Sequence, residues 1–139
     1  MASGIYERFK ANLMNKIVNL GSGGDTIKVA LLSSSHSFTA THNTWSQLST
    51  NDIGTKVVYT ISGTTLAGQT VTQAATTKFA GTAIAWGPGE TFTAAFAVLY
   101  DDTLANDDLI CCFDFGGDKT VSNGTFTITW HADGIITLA

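Results

Sequence analysis

The C-terminal third of the chain reads FTAAFAVLYDD (Phe92–Asp102), DLICCFDFGGD (Asp108–Asp118) and NGTFTITWHADGIITL (Asn123–Leu138). These runs decide the fold class. Each is rich in aromatic and β-branched residues, and short acidic, Gly- and Asn-bearing turns separate them. In the first run Phe92, Ala94, Phe96, Val98 and Tyr100 alternate with Thr91, Thr93, Ala95, Ala97 and Leu99. Both sets become apolar toward the end, which predicts a central strand. LICCFDF (Leu109–Phe115) predicts a second strand buried on both faces. TFTITW (Thr125–Trp130) alternates strictly and predicts a third, with Phe126, Ile128 and Trp130 inward and the threonines outward. GIITLA closes the chain.

Working upstream, TIKVALL (Thr26–Leu32) predicts the first strand. KVVYTIS (Lys56–Ser62) and TLAGQTVTQ (Thr65–Gln73) predict a strand pair joined around Gly63. TTKFAGTAIAW (Thr76–Trp86) predicts another strand, with a turn or bulge at Gly81, and WGPGE (Trp86–Glu90) a turn holding the only proline. Residues 33–55 form a long polar stretch in which a short helical turn at Trp45 and Leu48 is expected. Strands at this spacing predict an antiparallel β-sandwich, with a closed barrel as the alternative.

The N-terminus has a different period. Ile5, Phe9, Leu13 and Ile17 recur every fourth residue, Leu20 continues the stripe, and polar residues fill the other faces. This predicts one amphipathic helix over about residues 4–20, with Ser3 as N-cap and Gly21 just past its end. GSGGD then predicts a hinge. The expected organisation is a single domain, 1–139: helical segment 1–21, hinge 22–25 and sandwich 26–139.

At 44% hydrophobic and 13% charged residues, the chain has about half the usual charged share of roughly 25%. Thr, Ser, Asn and Gly must cover the surface, which favours an oligomer or part of a larger assembly. The net charge of −4 and the scattered basic residues argue against direct nucleic-acid binding. There is no apolar run long enough for a membrane helix, and the charged opening does not read as a signal peptide, so cytoplasmic synthesis is expected.

No motif carries chemistry. Adjacent Cys111 and Cys112 point to opposite faces of a strand and read as buried free thiols, with no CxxC and no metal or cofactor site. The aspartates at 101, 102, 107, 108, 114 and 118 fit hairpin turns better than a calcium loop. His36 and His42 share the long loop without ligand spacing, and GSGGD follows a helix, the reverse of a phosphate cradle. Trp45, Trp86 and Trp130 could stack on sugars but are expected in the core or an interface. The chain is therefore expected not to be an enzyme.

In order, MASGIYERFKANLMNKIVNL, DTIKVALLSSSHSF, TLAGQTVT, AVLYDDT, LICCFDFGG and NGTFTITWHADGIITL resemble a family of small virion structural proteins of tailed bacteriophages and prophages. The resemblance spans nearly the whole chain and lies in the joint order of these segments. It implies a homo-oligomeric structural role in the virion: a capsid decoration (cement) protein bound to the major capsid protein or other virion proteins. A tail, baseplate or head–tail component is the alternative, and a carbohydrate-binding adhesion module a third. Candidate contact residues are Ile5, Tyr6, Phe9 and Leu13 on the helix and His36, Phe38, His42 and Trp45 in the long loop.

Overall fold

Alternation of period two yields eight strands among residues 3–139, the part of the chain that the computed structural model describes. They are β1 (Gly4–Ile5), β2 (Ile27–Leu32), β3 (Thr64–Thr65), β4 (Thr70–Thr72), β5 (Thr77–Ala80), β6 (Ile84–Asp101), β7 (Asp108–Ile128) and β8 (Ile136–Leu138). One sheet has the order β1-β7-β6-β2-β3 and the other β4-β5-β8, with every pairing antiparallel. The sheets do not close into a barrel; the fold is a mainly β sandwich with one α-helix.

The frame is the hairpin of β6 and β7. The acidic segment 102–107 is its turn, and Asp101 pairs with Asp108 where the ladder begins. β6 is central, as its apolar faces predict, with β2 on its other side from Phe96 to Asp101. Two expectations change here. WGPGE is a bulge inside β6, with a cis Gly87–Pro88 peptide, and does not end a strand. Likewise GGD and SNG are irregularities within the single strand β7, which takes in LICCFDF and the TFTI of TFTITW and ends before Thr129 and Trp130.

The GGD irregularity lies opposite Ala94–Phe96, where Ala94 pairs with Lys119 and Phe96 with Asp114, so β7 carries the extra residues. An extra residue on one strand exchanges the faces beyond it. Phe92 and Ala94 therefore share a cluster with Ala97 and Leu99, while Phe96, Val98 and Tyr100 join Ala95 on the opposite face. Uninterrupted alternation from Phe92 to Tyr100 does not occur. Cys111 and Cys112 do divide between the faces, one per cluster, and both are free and buried.

One cluster fills the space between the two sheets, with Val29, Leu31, Leu66, Phe79, Trp86 and Ile136 among its members. The other lies on the outer face of the large sheet, beneath the long polar loop. Trp45 and Leu48 anchor that loop through short 3-10 turns at Trp45–Gln47 and Ser49–Asn51, as the sequence suggests. The Trp45 ring stacks on Tyr100 with centroids 5.0 Å apart.

Lys56–Ser62 is a loop, contrary to the expected strand. Val57 is 77% exposed, while Tyr59 is fully buried. The ladder is replaced by a distant side chain: fully buried Glu90 accepts the Val57 N–H on Oε1 and the Tyr59 N–H on Oε2, both at 2.8 Å. The Tyr59 hydroxyl accepts the Leu31 N–H at 2.9 Å and donates to Asp52 Oδ2 at 3.0 Å. Tyr59→Phe leaves the Leu31 N–H without this acceptor in a buried place. A loss of about 2 kcal/mol is expected in denaturant unfolding; an unchanged midpoint would show that the bond carries no net stability.

The helix is shorter than its stripe. α1 covers Glu7–Met14, Tyr6 is its N-cap, and Gly4–Ile5 pairs with Cys111 and Cys112 instead of starting a helix. Ser3 is not the cap; its Oγ accepts the Asp114 N–H at 2.8 Å. Lys16, with φ 60°, ends the helix: Ile17 N–H reaches Asn12 O at 2.8 Å and Lys16 N–H reaches Leu13 O at 3.3 Å. This is a Schellman-type end with lysine at the position that usually favours glycine. The helix stops because its stripe leaves the sheet; Phe9 is buried, whereas Ile17 is half exposed. Met1 and Ala2, expected within the helical segment, lie outside the described residues.

Candidate interaction surface

The expected contact residues divide into three groups by burial. Tyr6, Phe9, His36 and Trp45 are buried against the chain's own core. Tyr6 packs on Phe38 with ring centroids 5.1 Å apart, and His36 meets Phe96 edge-on at 4.9 Å. Ile5, Phe38 and His42 are half-buried. Leu13 alone of the eight lies at the surface.

Leu13 also borders an apolar groove of about 280 Å³ that the sequence did not reveal. One wall is α1 and the segment Val18–Gly21; the other is the outer part of β4, β5 and β8. Phe9, Leu20 and Phe79 form its floor, and Val71 and Leu138 stand half exposed on its rim. These residues are far apart in the chain, and each strand is too short for its pattern to stand out.

The Val18–Gly21 wall is fastened, so the expected hinge is an ordered loop. Asn19 N–H donates to Asp25 Oδ2 at 2.8 Å, and Gly24 and Asp25 N–H donate to Gly21 O and Asn19 O at 2.9 and 2.8 Å. Gln69 Nε2 reaches the carbonyls of Leu20, Gly21 and Asp25 at 2.9–3.2 Å, tying the loop to the start of β4. On the helix, buried Asn12 donates to Asp108 Oδ2 at 2.7 Å, and Arg8 Nε lies 4.0 Å from the same oxygen.

A second, more polar cleft of about 620 Å³ lies between Ser34–Ser37 and Asp114–Gly117. It places serines, His36 and Asp114 near one another, but the histidine is turned inward. Its Nε2 lies 3.9 Å from Cys112 Sγ, while Asp114 Oδ1 accepts the Gly116 N–H. Burial, reinforced by His42, lowers the His36 pKa. Burial pushes the Cys112 thiol up to about 12 and raises Cys111 as well, the opposite of an activated nucleophile.

Among the described residues no group of three or more His, Cys, Asp or Glu side chains is placed to hold a metal ion, and no helix is long and apolar enough to cross a membrane. Trp86 lies in the inter-sheet core and Trp45 beneath the loop. Trp130 is half-buried with its Nε1 donating to Thr82 O at 3.1 Å, so the three tryptophans build no common platform.

No family model matches the chain, and neither a curated protein nor a solved structure is significantly similar to it.

Proposed function

We propose that the chain is a structural protein of a tailed-phage virion, specifically a decoration protein that binds the head shell as a homo-oligomer and stabilises it. It acts through surface contacts with the major capsid protein or a neighbouring virion protein, without catalysis. It is made in the bacterial cytoplasm and ends in the virion. The ordered resemblance across the chain suggests this role. The observation that carries the contact reading is the apolar groove, whose rim residues Leu13, Val71 and Leu138 are exposed on a chain with few charges.

Purified protein mixed with shells assembled without it should co-sediment with them; failure to do so removes the decoration role. Val71→Lys and Leu138→Lys change half-exposed residues and should leave the fold intact. Burying each apolar side chain in an interface contributes about 1.5–3 kcal/mol. Each charge should therefore weaken shell binding about tenfold or more. Wild-type binding by both variants would move the contact away from the groove.

A tail or baseplate position would draw on a helix swinging out to hook a neighbouring ring. β1, the Asn12–Asp108 bond and the fastened loop hold α1 on its own sandwich, which favours the head. Immunogold labelling of intact particles separates the two. The adhesion reading has lost its aromatic platform, and a glycan array with and without EDTA tests what is left of it.

A further inference from the structure

Asp101 closes β6, where it pairs with Ile27 of β2 on one side and Asp108 of β7 on the other. It is only 1% exposed. Its carboxylate accepts the Thr103 N–H on Oδ1 at 3.0 Å and a hydrogen bond from the Leu104 backbone, but its buried Oδ2 has no hydrogen-bond partner. The group facing it is the Asp25 carboxyl, within hydrogen-bonding contact. Two carboxylates cannot satisfy each other, whereas one carboxyl and one carboxylate can.

We propose that Asp25 and Asp101 share a single proton, and that this proton is a latch holding the 18–25 loop, and with it one wall of the apolar groove, against the sandwich. Asp25 is the movable half. Its Oδ2 also receives the Asn19 N–H, so displacement of Asp25 loosens the wall. Losing the proton leaves two negative charges in contact at a buried place, and the repulsion is relieved by moving Asp25 outward.

The surroundings deepen the effect. Asp102 and Asp107 lie on the same hairpin turn and Asp108 opposite, so most nearby charge is negative. The cations are Lys28, 3.7 Å from Asp102, and Arg8, 4.0 Å from Asp108; each is engaged with another carboxylate. Burial, and then the hydrogen bond to Asp25, raises the Asp101 pKa to about 7. The latch thus holds in mild acid and opens as pH rises through neutrality. Opening releases the proton, so the opening constant rises about tenfold per pH unit between the ordinary carboxyl range and 7, then levels off.

The test is amide hydrogen exchange on the whole chain from pH 5 to 8.5, corrected for intrinsic rates. The amides of Asn19, Gly21, Gly24 and Asp25 should lose protection by about tenfold per unit up to pH 7, while those of central β6 keep theirs. In Asp101→Asn and Asp25→Asn the amide replaces the shared proton as donor, so the profile should be flat. Carboxyl carbon shifts of the wild type provide a check that needs no variant: one group of the pair should titrate near 7. Titration of both below pH 5, a profile unchanged by both substitutions, or exchange that rises equally throughout the molecule would overturn the latch. So would protection restored by calcium at high pH, which would make the pair a cation site.

Discussion

Glu90→Ala should lower the unfolding free energy by roughly 3–5 kcal/mol, read from the shift of the denaturant midpoint at constant slope. Glu90 is fully buried, and its two oxygens are the acceptors that replace a β-ladder for Val57 and Tyr59. Alanine leaves the buried Tyr59 N–H unpaired, exposes the Val57 N–H to whatever water can reach it, and opens a cavity beside Trp86 and Phe92, the rings Tyr59 packs on. Each lost bond to a charged acceptor is worth about 1.5–3 kcal/mol. Glu90→Gln separates polarity from volume. It keeps one acceptor but turns a donor toward an N–H, so about half the loss should remain. If the alanine variant loses under about 1 kcal/mol, the 56–62 loop is held by Tyr59 packing and not by the carboxylate.

Gly63→Ala should cost on the order of 3 kcal/mol or more, combining left-handed strain with a steric clash. Gly63 has φ +91°, and a Cβ there would lie 2.2 Å from the Val29 carbonyl oxygen and 2.6 Å from its carbon. Both atoms belong to β2, which is hydrogen-bonded to β6 along its length and cannot retreat cheaply. The expected signature is a lower thermal midpoint and faster exchange of the β3 amides. A variant as stable as wild type would mean that the β2–β3 pairing is dispensable. For comparison, Gly54 also has a positive φ but open space around it, so alanine there should cost only the backbone term of about 1 kcal/mol.

The sequence makes β2, central β6 and the buried half of β7 legible, because the apolar pattern of each is local. It misplaces faces where a bulge intervenes. Nothing within Ala94–Phe96 shows that the extra residues of β7 fall opposite it, yet this irregularity decides whether Phe92 and Phe96 share a core. It misreads Lys56–Ser62 because alternating Val58, Thr60 and Ser62 look like a strand until Glu90, about thirty residues later, captures the backbone. The helix stripe correctly marks Phe9 but cannot show where the sheet beneath it ends. The expected contact residues lie in a helix and a loop, and rings there are also what a thin sandwich needs to cover its outer face; Tyr6, His36 and Trp45 serve that need. The groove and the Asp25–Asp101 pair depend on residues brought together from opposite ends of the chain, and no local pattern announces them.

The β6–β7 hairpin also sets a clock. β1 finds its partners only at Cys111 and Cys112, β2 only along Phe96–Asp101, and Glu90 must be present before the 56–62 loop has an acceptor. On a ribosome nearly everything made before residue 84 waits for strands not yet synthesised. Nucleation falls to the one large structure with local pairing, and the earlier segments then join it across long loops. The chain should therefore fold late, once β6 and β7 are both made, in roughly milliseconds to seconds. Until then Phe9, Leu31 and Tyr59 remain exposed, when a neighbouring nascent chain could take the place that the hairpin will fill.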